Sequence, residues 1–286
     1  MQLRTIRRIV TGTTQYDGAG VKLVRVVGHP DVEDFDPFLM MDAFDSTDPS
    51  DYIKGFPWHP HRGIETVTYL IHGHIEHGDS LGNRGSILDG GCQWMTAGGG
   101  ILHQEMPQPA DRMLGVQLWL NLPKKDKMTD PKYRDIRSDM IPKIENDGCT
   151  TGIISGRYKG RDGAVQGDHV GMTFLDVDMK GEASWQMETV RNSSLFVYIV
   201  EGEGWFSKTD EKLLYRRRAI LFNEGDAIFA RASEKGMRFL LFSGPPLKEP
   251  IAWGGPIVMN TKEELMQAFR EIDEGTFVRG TGSAKM

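Results

Sequence analysis

Hydrophobic residues fall into short runs through most of the chain, and glycine or proline separates one run from the next. The runs are β-branched or alternate with polar residues, in the period of two that a strand requires. The clearest runs are residues 21–27, 66–71, 116–122, 194–200 and 238–243. Many short strands joined by turns predict an all-β sandwich or barrel.

One helix is predicted near the C-terminal end of the sequence. Thr261 can cap its first turn and Glu264 follows three residues later, which is the spacing of a capping box. Leu265, Phe269 and Ile272 then recur at helical spacing. The pattern therefore indicates a short amphipathic helix.

An internal repeat indicates two similar domains. Residues 66–73 align with residues 195–202, sharing a tyrosine and a closing glycine, and further glycine turns follow in both copies. We therefore predict two β-domains, at residues 1–135 and 136–286. The charged, proline-bearing segment 123–148 is predicted to connect them.

Composition and charge exclude several classes of protein. The 286 residues carry a net charge of −6, which disfavours nucleic acid or an anionic membrane as a direct partner. No apolar run approaches the roughly 20 residues that span a bilayer, and the N-terminus lacks the apolar region of a signal peptide. We expect a cytoplasmic protein, with Cys92 and Cys149 as buried free thiols rather than a disulfide.

Histidine is concentrated in one region, because six of the eight histidines lie between His59 and His103. In a strand, His59 and His61 share a face about 6–7 Å apart. His103 and Glu105 repeat this spacing after a glycine run. If the two strands are neighbours, three imidazoles and a carboxylate converge, a set that Fe, Mn, Ni, Cu or Zn accepts. The alternative is a group of ordinary polar side chains, hydrogen-bonded at the rim of a barrel.

The other histidines have simpler interpretations. Three of them follow a predicted strand at a glycine-containing turn, where a solvated hairpin explains them best. The hairpin histidines are His72, His74 and His77, whereas His29 and His169 are predicted in loops.

The histidine motifs resemble those of the cupin superfamily. The spacing His59-x-His61-x-x-x-Glu65, followed by Gly73, is similar to the first cupin motif, and Gly100-x-x-His103 roughly meets the second. Several longer segments resemble signatures of the pirin family, a group of bicupins, in the same order along the chain. These segments are residues 36–44, 56–70, 93–107, 115–123 and 249–265.

This resemblance implies a fold and a ligand set. The fold is two cupin barrels (double-stranded β-helices, or jelly rolls) packed together, with a short C-terminal helix. The implied ligands of one divalent metal are His59, His61, His103 and Glu105. Pirins use the glutamate two residues after the last histidine. Spacing agrees, because Glu65, in the same strand as His61, would lie about 13 Å further along and would act only as an outer support.

The second domain is predicted to lack a metal site. In the repeat alignment, its residues at the four ligand positions are Glu188, Val190, Met237 and Phe239. This set offers at most one ligand. We expect apolar side chains to fill its cavity.

The resemblance also implies an activity, the quercetinase reaction, in which a flavonol and O₂ give a ring-opened ester and carbon monoxide. Glu105 is the candidate catalytic base. Iron(II) is chosen from the family's behaviour, with Mn, Ni, Co, Cu and Zn as alternatives. A monomer is expected. The alternative function is a metal-dependent regulatory protein that binds a transcription factor or a metabolic enzyme, and a third is a cupin acting on another aromatic compound.

Residues close to the predicted ligands have two interpretations each. Arg62 either attracts an anionic substrate or is a surface charge, since it alternates with His61. Five apolar residues either line the mouth of the site or belong to the core, namely Phe38, Met41, Trp58, Met95 and Ile101.

Overall fold

The computed structural model describes residues 1–209 and 212–278, and most of them lie in strands. The strands of the first half are β1 (Ile6–Thr11), β2 (Thr13–Asp17), β3 (Val21–Val27), β4 (Phe38–Ser46), β5 (Phe56–His61), β6 (Ile64–His72), β7 (Ile75–Asp79), β8 (Arg84–Ile87), β9 (Cys92–Thr96), β10 (Ile101–Pro107), β11 (Met113–Asn121) and β12 (Lys132–Ile136). Those of the second half are β13 (Lys143–Asn146), β14 (Cys149–Ser155), β15 (Arg157–Tyr158), β16 (Arg161–Asp162), β17 (Thr173–Met179), β18 (Ser184–Glu188), β19 (Ser194–Trp205), β20 (Leu214–Tyr215), β21 (Arg218–Phe222), β22 (Ala227–Gly244), β23 (Ala252–Gly254) and β24 (Ile257–Met259). The α-helices are α1 (Val32–Phe35) and α2 (Lys262–Asp273). Four of the five runs of the hydrophobic pattern lie within strands, and the fifth, residues 116–122, extends one residue beyond β11, which confirms the all-β prediction.

The chain divides into two compact units, and each unit contains segments from distant parts of the sequence. The unit that carries the histidine motifs, called here the histidine unit, comprises Thr13–Val32, Phe38–Ser138 and the segment from Leu247 onward. The other, called the apolar unit, comprises Met1–Gly12, Glu33–Pro37 and Asp139–Pro246. This division differs from the predicted domains, 1–135 and 136–286, at the chain ends. Strand β1 pairs with β21 in the apolar unit, whereas β23, β24 and α2 belong to the histidine unit.

The histidine unit is built on two antiparallel sheets. One has the strand order β12-β9-β6-β11-β4-β3-β2 and the other the order β5-β10-β7-β8. Side chains of the two sheets meet between them, as where His61 of β5 contacts the Trp119 ring of β11 edge to face, with 5.0 Å between ring centroids. Strands β6 and β11 are buried along nearly their whole length because both lie in the middle of the larger sheet. Two sheets closed over a side-chain interior form the cupin barrel.

The predicted connecting segment, residues 123–148, is not a simple linker. Strand β12 extends the large sheet of the histidine unit by pairing with β9, and β13 pairs with β14 in the apolar unit. Five of the charged residues in this segment, Lys132, Arg134, Asp135, Lys143 and Glu145, lie on these two edge strands, where charge discourages pairing with other chains.

The C-terminal helix begins as predicted. The Thr261 side chain accepts a hydrogen bond from the backbone N–H of Glu264, and the Glu264 side chain accepts one in return from the backbone N–H of Thr261. The apolar face of α2 packs on the strand β24 and on the residues that follow the helix. This cluster contains Ile257, Met259, Leu265, Ala268, Phe269, Ile272 and Phe277.

Arg62 fastens this C-terminal segment to the end of β5, so both interpretations of Arg62 from the sequence are wrong. Its side chain is 2% exposed and forms an ion pair with Glu271 of α2 at 2.6 Å. It also donates to the backbone oxygens of Gly99 at 2.7 Å and Phe277 at 3.1 Å, and its guanidinium lies 4.3 Å from the centroid of the Phe277 ring. Arg62 is therefore a buried structural cation.

The apolar unit has a nine-stranded antiparallel sheet, and a large apolar cluster fills its interior. Of the four positions aligned with the predicted ligands, Met237 and Phe239 belong to this cluster, whereas Glu188 and Val190 are exposed.

Cys92 and Cys149 are buried and free in their respective units, as predicted. Neither helix of the described chain combines the length and the hydropathy that crossing a membrane requires.

Candidate metal centre

The two histidine motifs lie on neighbouring strands, as predicted. Strands β5 and β10 are antiparallel, and His59 is directly opposite His103 in the pairing. His61 is opposite Ile101, so the three imidazoles extend from the same side of the strand pair. The register shifts between His103 and Glu105, which places Glu105 opposite Phe56.

The three imidazoles form a compact cluster. Their nearest ring nitrogens all lie within 4.8 Å of one another, a separation that one metal ion can bridge. The ring centroids of His59 and His103 are 4.3 Å apart, and those of His61 and His103 are 5.0 Å apart. His61 and His103 are fully buried, whereas His59 remains partly accessible. The cluster can therefore bind a metal ion that is reached from the side of His59.

Backbone carbonyls fix the tautomers of two of these rings. The Nδ1 of His59 donates to the carbonyl oxygen of Pro57 at 2.8 Å, and the Nδ1 of His61 donates to that of Pro256 at 3.0 Å. A neutral ring that donates through Nδ1 has its lone pair on Nε2. The two Nε2 atoms are 3.1 Å apart. Outer hydrogen bonds of this kind orient histidine ligands in metal sites.

The geometry fits a small divalent ion. Two nitrogens at right angles on an ion, each about 2.1 Å away, lie about 3.0 Å apart, close to the separation of the two Nε2 atoms. A cation also removes the repulsion between two facing lone pairs. Both ring nitrogens of His103 are buried without a protein hydrogen-bond partner among the described residues, so one is available to a metal.

Burial keeps two of the rings neutral, which is the form that binds metals. Burial, reinforced by the neighbouring His59, lowers the pKa of His61 to about 3. Burial and the surrounding histidines place the pKa of His103 well below its ordinary value. Neither ring has to lose a proton at neutral pH before it can bind an ion.

Glu105 lies outside the three-histidine cluster and is held by hydrogen bonds. The amide of Gln117 donates to its Oε2 at 2.7 Å, and the hydroxyl of Thr68 donates to its Oε1 at 3.1 Å. Glu105 as a metal ligand therefore stays a prediction. Gln117 and Thr68 were not predicted from the sequence, although each is a polar residue inside an apolar strand, which is the signal that could have identified them.

Glu65 does not lie in the same strand as His61, although the spacing of the two residues predicted that it would. Strand β5 ends at His61, and Gly63 turns the chain with φ of 77° before β6 begins. A Cβ atom added to Gly63 would lie 2.0 Å from the carbonyl oxygen of Val258, so a side chain at residue 63 would collide with the backbone. Glu65 itself is buried and accepts a hydrogen bond from the Thr96 hydroxyl at 2.6 Å.

The interpretation of His77 as part of a solvated hairpin is wrong. The side chains of His77 and Asp79 are both fully buried, with 3.2 Å between Nε2 of His77 and Oδ2 of Asp79. The His77 ring stacks on Tyr133 at 4.3 Å and lies 5.5 Å from the His103 ring, centroid to centroid. Strand β7 pairs with β10, which turns His77 toward the interior. Of the other two, His72 is exposed and His74 is half-buried.

A cavity of about 660 Å³ opens beside the cluster, and His59 and His61 form part of its wall. This volume suits an organic ligand of drug-like size. Trp58, Trp119 and Trp253 supply flat apolar surface, and Gln117 connects the wall to Glu105. Of the five residues proposed for the mouth, Trp58 lines the cavity. The other four, Phe38, Met41, Met95 and Ile101, are fully buried and absent from its wall.

The fold and the site together define a class of protein, a double cupin in which one barrel carries a cluster of three histidines beside an aromatic-walled cavity. Comparison with known families identifies the Pirin family over residues 20–120 and the Pirin C-terminal cupin domain over residues 174–278. The chain belongs to the pirin family, which confirms the resemblance seen in the sequence.

Individual relatives align with this chain over nearly its full length. A protein of Pseudomonas aeruginosa, named provisionally as a quercetin 2,3-dioxygenase, is 42% identical, over 95% of this chain and 97% of its own. A pirin-like protein of Caulobacter vibrioides is 43% identical, over 97% of this chain and 100% of its own. A crystal structure of quercetin 2,3-dioxygenase from Acinetobacter baumannii has a TM-score of 0.87 and 30% identity, and the match covers 96% of this chain and 98% of that one.

Proposed function

We propose that this protein is a metal-dependent dioxygenase of the quercetinase type, which cleaves a flavonol with O₂ and releases carbon monoxide. The observation that carries the proposal is the position of the three-histidine cluster at the wall of an aromatic cavity. The provisional name of the Pseudomonas aeruginosa relative and the Acinetobacter baumannii structure support the same activity. Iron(II) remains the proposed ion, on the family's behaviour alone.

The proposed metal-binding residues are His59, His61 and His103, with Glu105 as the proposed fourth. A bound divalent ion there would supply Lewis acidity toward a substrate hydroxyl and redox activity toward O₂. The protein's own contribution is to orient the ligands through the carbonyls of Pro57 and Pro256, and to exclude water from the buried side of the cluster.

The tryptophans of the cavity wall fit a flat aromatic substrate. The ring of Trp119 contacts His61 and lies 5.8 Å from that of Trp253, so the two indoles form a continuous apolar surface next to the cluster. The Nε1–H of Trp119 is buried without a hydrogen-bond partner among the described residues. A small movement of the wall would expose this N–H to a carbonyl oxygen such as the one beside the reacting hydroxyl of a flavonol.

Glu105 is proposed as the base that accepts the proton of the flavonol hydroxyl. In the structure its carboxylate is held by Gln117, a residue of the cavity wall, and by Thr68. Each carboxylate oxygen that accepts one of these hydrogen bonds keeps a further lone pair for the proton. The two donors would therefore hold the base in one position between turnovers.

The function is tested by loading the metal-stripped protein with Fe(II), Mn(II), Ni(II), Co(II), Cu(II) or Zn(II) in turn. Turnover is followed as O₂ consumption and as loss of the near-visible absorbance of quercetin, with carbon monoxide as the diagnostic product. We expect at least one redox-active ion to support turnover above the rate of the same ion free in solution. If every ion binds and none supports turnover, the dioxygenase proposal fails and the regulatory alternative becomes the better one.

The role of Glu105 is separated from that of the histidines by the isosteric change Glu105→Gln. Loss of a general base lowers kcat by about 10²–10⁴-fold, and we expect a decrease in this range. Elemental analysis of the purified variant then decides whether Glu105 is also a ligand, because loss of a ligand lowers the metal content as well. Unchanged kcat would remove Glu105 from the proposed mechanism. Glu76→Gln, at an exposed carboxylate on the adjacent strand β7, is the matched control.

A further inference from the structure

A polar cluster forms one part of the cavity wall, away from the histidine motifs in sequence and in a different sheet. Its members are Asp17 at the end of β2, Arg25 in β3 and Asp42 in β4, all of which line the cavity. These three strands are neighbours in the large sheet, and Arg25 is directly opposite Asp42 in the pairing. The cluster is therefore held on rigid strands, not on a loop.

Hydrogen bonds leave some groups of this cluster free for a ligand. Arg25 donates from Nε to Oδ1 of Asp42 at 2.9 Å and from Nη2 to Oδ2 of Asp42 at 2.8 Å. Nη2 also donates to Oδ2 of Asp17 at 2.7 Å, and Oδ1 of Asp17 accepts from the backbone N–H of Gly18. Nη1 of Arg25 takes no part in these bonds, and each oxygen of Asp17 keeps further acceptor capacity.

Charge limits the chemistry of the ligand. Two carboxylates already oppose the single guanidinium, so this part of the wall does not attract an anionic carboxylate or phosphate. A neutral hydroxyl group fits it, because a hydroxyl can accept from Nη1 of Arg25 and donate to the carboxylate of Asp17. The side chain of Asp17 is 49% exposed and that of Asp42 is 4% exposed, so Asp17 is the carboxylate that a ligand can reach.

We propose that Asp17 and Arg25 form a hydroxyl-recognition subsite, which selects aromatic substrates that carry a hydroxyl on the ring that reaches this part of the cavity wall. This inference rests on the proposed function, since it assigns the substrate class of the same cavity. Asp42 positions Arg25 and does not contact the ligand. The tryptophans of the wall hold the ring system, and the polar subsite determines which substituted rings are preferred.

The test compares two flavonols that differ only in the lateral ring, quercetin with its two vicinal hydroxyls and galangin with none. Binding is measured by calorimetry on the Zn(II)-loaded protein, because Zn(II) has no redox chemistry and binding is then separated from oxidation. We expect the wild-type protein to bind quercetin about tenfold more tightly than galangin, because quercetin can form hydrogen bonds to the charged groups of the subsite and galangin cannot. Asp17→Ala is expected to remove most of this preference and to leave the affinity for galangin within about twofold.

Asp51→Ala is the matched control. Asp51 pairs with Lys22, which lies on the same strand as Arg25, but Asp51 does not line the cavity. Arg25→Lys is a second variant that keeps a positive charge beside the buried Asp42 but loses the planar guanidinium, which donates to several acceptors at once. Urea unfolding of each variant verifies that it folds. The subsite is overturned if the wild-type protein does not prefer quercetin, or if either Asp17→Ala or Arg25→Lys retains the wild-type preference.

The outcomes also separate the subsite from the dioxygenase activity. Preference for quercetin that depends on Asp17, without turnover under any metal, supports the subsite in a protein that binds such compounds without oxidising them. Turnover of both flavonols with a preference that ignores Asp17 supports the dioxygenase and overturns the subsite.

Discussion

His61→Ala is expected to abolish stable metal binding and, with it, metal-dependent consumption of O₂ in the presence of quercetin. His61 is fully buried, its Nε2 lies 3.1 Å from that of His59, and its Nδ1 is held by a backbone carbonyl. Loss of an outer hydrogen-bond partner alone costs about 10–100-fold in metal affinity, so loss of the ligand itself should cost more. Elemental analysis of the protein as isolated and titration of the stripped protein with Ni(II) provide the measurement.

His72→Ala is the control for this prediction. His72 lies in the same unit, but its side chain is 49% exposed and it is not a member of the cluster. We expect this variant to bind metal and to behave in turnover as the wild-type protein does. Full metal content in His61→Ala, with unchanged affinity, would contradict the assignment of the cluster as the metal centre.

Arg62→Met is expected to destabilise the histidine unit severely. The change removes one partner of Glu271, whose side chain is 12% exposed, and breaking a buried ion pair on one side costs about 3–5 kcal/mol. It also removes the hydrogen bonds to Gly99 and Phe277 and the contact with the Phe277 ring. Urea unfolding, followed by tryptophan fluorescence, measures the free energy of unfolding.

Two comparisons make this prediction specific. The double variant Arg62→Met/Glu271→Met should recover part of the lost free energy, because it removes both charges of the pair and not only one. Arg157→Met removes one side of an ion pair whose side chains are 67% and 68% exposed, and should change the free energy of unfolding by less than about 1 kcal/mol. Equal effects of Arg62→Met and Arg157→Met would show that burial of the pair is unimportant.

Local patterns in the sequence predicted much of the structure. The alternation of residues 21–27 matches β3, and Thr261 with Glu264 forms the capping box that begins α2. The hypothesis built on the equal spacing of the two histidine motifs required β5 and β10 to be neighbours, and the pairing of His59 with His103 meets this condition. These features depend on residues a few positions apart, or on two motifs that a single strand pair brings together.

Contacts between distant residues could not be predicted in the same way. The Pro256 carbonyl that orients His61 is 195 residues away, and the acidic partner of Arg62 is 209 residues away. The burial of His77 depends on its pairing with β10, which reverses the conclusion drawn from the polar residues around it. The turn at Gly63 separates Glu65 from His61, and a single glycine in a strand-like sequence does not specify such a turn.

The segment from Leu247 onward belongs to the histidine unit, and this affects the order in which the two units can fold during synthesis. The imidazoles are synthesised first, whereas Pro256, which orients His61, and Glu271, which pairs with Arg62, follow their partners by 195 and 209 residues. Domains generally fold as units from the N-terminal side during translation, but the histidine unit includes a segment that is synthesised after the whole of residues 139–246 of the apolar unit. A nascent chain that still lacks the segment from Leu247 onward would therefore hold the three imidazoles without the carbonyl that orients His61.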